Sequence, residues 1–113
     1  MITIYHNNRC GKSRSALCIL EEKGQQFQTV EYLKDAPTVE ELKSILKKLK
    51  MKPHDLIRTK EAVYIENYKG KTLTDDEWIH VMHDNPILIE RPIVINGNKA
   101  VVARPPEKVN EIL

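Results

Sequence analysis

Cys10 stands in the run His6-Asn7-Asn8-Arg9-Cys10-Gly11-Lys12-Ser13-Arg14, between the apolar segment Ile2-Thr3-Ile4-Tyr5 and a stretch of helical periodicity. The position decides its chemistry. The nucleophilic form of cysteine is the thiolate, and the free N–H groups and positive dipole end of a helix N-terminus stabilise it. Gly11, Lys12, Ser13 and Arg14 form the supporting first turn in this reading, and Arg9, Lys12, Arg14 and a protonated His6 favour the ionised sulfur by charge. A thiolate ringed by cations is suited to attack an electrophile that is itself an anion.

Three familiar sites share letters with this run and fail on spacing. Gly11-Lys12-Ser13 matches the end of a phosphate-binding loop, but His6 occupies the place of its first glycine. A tyrosine-phosphatase loop needs an arginine six residues after its cysteine, where this chain has Ala16. A dithiol redox pair needs a second cysteine three positions on, where it has Ser13. The site is monothiol. Cys18 does not complete it: eight residues of helix at about 1.5 Å each put the two cysteines about 12 Å apart. A disulfide tolerates a Cα separation of at most about 7 Å. Cys18 is expected to be a small core hydrophobe, and any covalently loaded Cys10 must be cleared by an outside thiol.

The surrounding elements must hold this thiol. Leu17, Ile19 and Leu20 give a helix closed by Gly24, and alternation over Phe27–Leu33 gives a second strand, so the first third of the chain predicts a parallel βαβ unit. Thr38-Val39-Glu40-Glu41 and Thr74-Asp75-Asp76-Glu77 are capping boxes that open two further helices. Between them, around 55–58 and 61–68, short helices are expected. Ile93–Ile95 and Lys99–Ala103, joined through Asn96-Gly97-Asn98, predict an antiparallel hairpin, and Glu107–Leu113 a closing helix. The order β-α-β, helical block, β-β-α predicts an α/β fold with a thioredoxin-like mixed sheet. A single domain over 1–113 is expected, its helical insertion at about 38–85.

Composition narrows the class. Eighteen basic and sixteen acidic residues leave a net charge of +2, which argues against nucleic acid or membrane binding by bulk charge. The apolar runs are too short to span a membrane, and two cysteines do not make a disulfide scaffold; a cytoplasmic location follows as the expectation. His80 and His83 lack the further ligands of a metal site and are expected on a solvated helix face, with Trp78 and Met82 in the core. The lysines between 43 and 52 read as the polar face of their helix.

The cysteine run resembles the signature of the glutaredoxin-dependent arsenate reductases of the ArsC family. The similarity extends to Tyr32-Leu33, Pro37-Thr38, Arg58-Thr59-Lys60, the block from Asn85-Pro86 to Arg91-Pro92-Ile93-Val94, and Arg104-Pro105. The resemblance implies that Cys10 forms a covalent thioarsenate, that Arg58, Arg91 and Arg104 hold the oxyanion, and that His6 assists the thiol. It also marks Pro92 as a cis-proline. Guanidinium groups suit this task, because they grip tetrahedral oxyanions through paired, charge-assisted hydrogen bonds.

Asn8-Arg9, Lys12, Glu90 and Pro106 are similar to a housekeeping-type branch of the family. The implied reaction reduces arsenate to arsenite with glutathione as co-substrate and glutaredoxin as partner, in a monomer with no tightly bound cofactor or metal. Arsenate or another small oxyanion is the expected ligand. Two rivals stand beside it: a monothiol glutathione-linked oxidoreductase without arsenate activity, and a Spx-like regulator that binds RNA polymerase. Ser13 in place of a second switch cysteine counts against the latter.

Overall fold

Alternation in Ile2-Thr3-Ile4-Tyr5 builds the first strand, β1 (Ile2–Tyr5), whose Ile2 and Ile4 are buried. The computed structural model describes residues 2–7 and 10–113. A helix, α1 (Gly11–Glu22), returns the chain to β2 (Phe27–Val30), parallel to β1 with Ile2 opposite Phe27. Gly24, at φ 67°, makes the left-handed turn out of α1 that a side chain would strain. The second strand stops at Val30, short of the expected Leu33, because residues 32–34 turn; Lys34 and Asp35 both donate N–H to the Glu31 carbonyl.

After the helical segment the chain re-enters the sheet as β3 (Ile93–Asn96) and β4 (Lys99–Val102). Strand β3 lies antiparallel to both β1 and β4, giving the mixed order β2-β1-β3-β4. Gly97, at φ 62°, takes the first position of the two-residue turn joining them. Helix α1 packs against a 3-10 helix at Pro106–Glu111, the expected closing helix in tighter form. Ile4, Ala16, Leu20, Val94, Ala103 and Val109 are wholly buried in one core between them.

The chain divides into two compact units: one holds the residues through Asp35 and from Arg91 onward, the other Ala36–Glu90. The second is helical. Both capping boxes form as the sequence predicts, Thr38 with Glu41 at the head of α2 (Val39–Leu49) and Thr74 with Glu77 at the head of α4 (Asp75–Asp84). A short α3 (Ala62–Asn67) lies between them. Trp78 and Met82 are buried, as predicted, with His54 edge-on to the Trp78 ring at 4.8 Å. His80 Nδ1 donates to the Asp76 carbonyl and His83 Nδ1 to that of Pro37. Among the described residues, no helix is long and apolar enough to cross a membrane.

Candidate functional site

The site begins where β1 ends. His6 N–H donates to the Val30 carbonyl at 2.8 Å, carrying the β1–β2 ladder one residue further. Cys10 N–H then donates to the Asn7 carbonyl at 2.9 Å, folding the loop back before the helix starts. Cys10 is the N-cap of α1, in extended conformation, and its carbonyl accepts the Arg14 N–H at 3.1 Å. Ser13 is wholly buried, and its hydroxyl accepts the Asn7 N–H at 3.4 Å. The residue that makes the site monothiol also ties the loop to the helix. Asn8 and Arg9 lie outside the described residues, and with them the cationic role expected of Arg9.

Cys10 is a free, partly exposed thiol. Burial pushes it up. The Ser13 N–H, the Arg91 guanidinium, the Lys12 N–H and the Ser13 hydroxyl together outweigh burial, and the thiol falls from its ordinary 9.0 to about 7. The neutral thiol makes no cap hydrogen bond of its own, so these groups act as donors waiting for the ionised sulfur. About half of the sulfur is then thiolate at neutral pH.

Arg91 reaches the thiol from the other side of the unit. Burial lowers its pKa, but the Tyr32 phenol and the Cys10 sulfur beside the guanidinium outweigh it and raise the value. Its Nε and Nη1 are buried and have no hydrogen-bond partner among the described residues. Unmet buried donors on a half-buried cation suit an anion in chemical terms. Tyr32, wholly buried, is a site residue that sequence reasoning missed as such; its place just past β2 was the available signal.

Arg104 Nη1 donates to the Arg91 carbonyl at 2.9 Å, so two of the three expected arginines meet. Pro92 is buried, and both Arg91–Pro92 and Arg104–Pro105 are cis.

His6 is buried, and its Nδ1 has no hydrogen-bond partner among the described residues. Burial lowers its pKa, Glu31 opposes that, and Arg14 adds to it. The imidazole is therefore neutral at neutral pH and lends the thiolate no charge.

Arg58 belongs to the helical unit. Its Nε pairs with Glu61 Oε1 at 3.1 Å and its Nη1 with Glu90 Oε1 at 2.9 Å. A backbone bridge between Ile57 and Ile89 aligns the segments that carry this cluster.

Cys18 corrects the sequence reading: it is exposed, not core. The i, i+4 progression from Cys10 places it on the solvent face of α1, while Ala16 and Leu20 take the buried face. Cys10, Arg14, Cys18 and Glu22 line one side of an open groove of about 890 Å³, with Lys12 at its cysteine end and Arg104 and Glu107 among the residues opposite.

The charges of α1 run against its dipole. Its first turn carries Lys12 and Arg14 and its last carries Glu21 and Glu22 ahead of Lys23 at the C-cap, whereas α2 begins with Glu40 and Glu41 and ends with Lys47 and Lys48. Each misplaced charge costs a surface helix about 0.3–1 kcal/mol.

A mixed four-strand sheet with a helix-capping cysteine at the end of its first strand defines a thioredoxin-like protein. Within that class the chain belongs to the ArsC family, whose profile matches residues 5–112. It is 45% identical to an arsenate reductase of Haemophilus influenzae over 99% of this chain and 98% of the relative. It is 43% identical to the uncharacterized protein YfgD of Escherichia coli K12, over 99% of this chain and 96% of the relative. The structure of an arsenate reductase from Vibrio cholerae superposes with a TM-score of 0.95 at 43% identity, covering 99% of this chain and 97% of that one.

Proposed function

We propose that this protein reduces arsenate to arsenite through a covalent adduct on Cys10. One observation carries the reading: a thiol lowered to about 7 stands beside an arginine with two buried donors that have no partner among the described residues. The thiolate attacks arsenic and a water leaves, forming the sulfur–arsenic bond. Arg91 meets the charge that the incoming oxyanion brings, and Arg104, anchored to the Arg91 carbonyl, completes the cationic wall. The ArsC resemblance assigns Arg58 to the oxyanion as well; within the helical unit its guanidinium pairs with Glu61 and Glu90. The thiol, about half ionised at neutral pH, gives its proton to solvent, and His6 stays neutral.

The second thiol comes from outside, because Cys18 stands two helical turns from Cys10, about 12 Å along the axis. Glutathione attacks the adduct, arsenic(V) takes the electron pair of the S–As bond and leaves as arsenite, and the two sulfurs join as a disulfide that glutaredoxin reduces. One oxygen has left as water, and two thiols have supplied two electrons. We read the protein as a monomer, and these thiol partners accord with the reducing cytoplasm. The open groove at Cys10 favours one second reading, a monothiol oxidoreductase acting on disulfides. Arsenite release from arsenate with both reductants present, compared between wild type and Cys10→Ser, separates the two.

A further inference from the structure

We propose that the groove along α1 is a docking track for an extended segment of a protein thiol partner, with a polarity that orients the segment. The proposal rests on the reading of Cys10 as a thiol that exchanges with external sulfur. It goes beyond that reading in naming where the partner lies and which charges it carries.

The groove follows α1 from end to end. Cys10, Arg14, Cys18 and Glu22 succeed one another at four-residue intervals and all line it, so its floor is one ridge of the helix. Twelve residues at 1.5 Å make that ridge about 18 Å long. A tripeptide such as glutathione, fully extended, covers at most about 11 Å, whereas five residues of strand cover about 17 Å. A small thiol with its sulfur on Cys10 leaves the far end of the track empty. A polypeptide segment fills it.

The track is charged in opposite senses at its two ends. Lys12 and Arg14 belong to the first turn of α1, and Arg104 is held at the same end through the carbonyl of Arg91, whose guanidinium faces Cys10. Glu22 closes the other end, and Glu107, three residues after Arg104, also lines the groove. Of the cations at this end, Arg91 favours the thiolate through its guanidinium. Glu22 does nothing for the thiol, which lies too far away, and it opposes the dipole of its own helix. A charge placed against helix stability, on a groove wall remote from the chemistry, fits recognition of a partner's cation. The matching segment carries an acidic residue beside its cysteine and a basic residue about five positions away, its acid on Lys12 and Arg14 and its base on Glu22.

Synthetic peptides test this. Each carries one cysteine activated as a mixed disulfide with a coloured aryl thiol, an aspartate beside it, and a lysine five positions before or after it. The Cys10 thiolate attacks the peptide sulfur, a protein–peptide disulfide forms, and the aryl thiolate leaves and is read by its colour. The protein is the full chain with Cys18→Ser, so that Cys10 alone reacts.

One of the two peptides should react about tenfold faster than its charge-exchanged counterpart, and the advantage should fade with added salt. Glu22→Lys should abolish the advantage and leave the rate with the glutathione–aryl mixed disulfide unchanged. The same variant should melt no lower than its parent, since it corrects a helix charge. An advantage below twofold for both peptides, or one that survives Glu22→Lys, overturns the docking track. Failure of Cys10 to react even with the glutathione mixed disulfide is a different result: it strikes at the thiol reading itself.

Discussion

Arg104 donates from Nη1 to the carbonyl oxygen of Arg91 at 2.9 Å, and the two arginines lie two positions beyond the paired ends of the last hairpin. Ile93 pairs with Val102, and Pro92 accepts the N–H of Ala103; continuing that register sets Arg91 opposite Arg104. One arginine thus fixes the backbone from which the other reaches the thiol. Arg104→Ala should weaken arsenate binding twice over, through a lost cation and a loosened Arg91. A charge-assisted hydrogen bond contributes about 1.5–3 kcal/mol, so the KM for arsenate should rise about 10- to 100-fold. Arg104→Lys should restore little of it, because a lysine cannot hold the carbonyl and an oxyanion together.

The thiol gives a pH signature. Alkylation of Cys10, measured in Cys18→Ser protein, should follow a titration with its midpoint at about 7, rising with pH. Arg91→Ala and Ser13→Ala should each move the midpoint up towards the ordinary thiol value, since each removes a group that favours the thiolate. The sign for stability follows from the same shift. The folded state holds the thiol below its unfolded value, so the contribution is full above the ordinary 9.0 and is lost as pH falls through about 7. The stability difference between wild type and Cys10→Ser should therefore change in favour of wild type between pH 7 and 9, by urea unfolding. A flat difference across that range would contradict the shift.

Arg58 should be structural as well as functional. Its guanidinium is mostly buried and held by Glu61 and Glu90, so Arg58→Ala leaves two carboxylates without their cation. Loss of about 1–3 kcal/mol in urea unfolding is expected, alongside a raised KM for arsenate. Unchanged stability would mean that the two ion pairs are solvated and contribute little.

Cys18→Ser should be silent. The side chain is exposed, so unfolding free energy should move by less than about 0.5 kcal/mol and arsenate turnover should stay as in wild type. A core cysteine would cost more.

Much of this was legible in the residues. The capping boxes at Thr38 and Thr74 have a mechanism written in four letters, and both helices start where those letters stand. The hairpin was legible but its register was not: the expected turn Asn96-Gly97-Asn98 would pair Ile95 with Lys99, whereas Asn96 itself pairs with Lys99, and that register brings Arg91 to Arg104. Tyr32 was harder, because it left the strand pattern at Val30 and its burial against Arg91 depends on the turn at 32–34, which alternation does not announce. Cys18 was misread because residue type favours burial for cysteine, while the helix phase set by Ala16 and Leu20 puts position 18 outside. The double engagement of Arg58 joins residues 32 apart, Arg58 and Glu90, a non-local pairing that no local pattern encodes.

The most direct test is arsenite formation by purified protein supplied with arsenate, glutathione and glutaredoxin. Wild type should release arsenite catalytically, with no release when Cys10 is replaced by serine and sharply reduced release when Arg91 is replaced by alanine. Catalytic release by Cys10→Ser, or none by wild type while its thiol alkylates with a midpoint at about 7, would contradict the assignment of arsenate to this thiol.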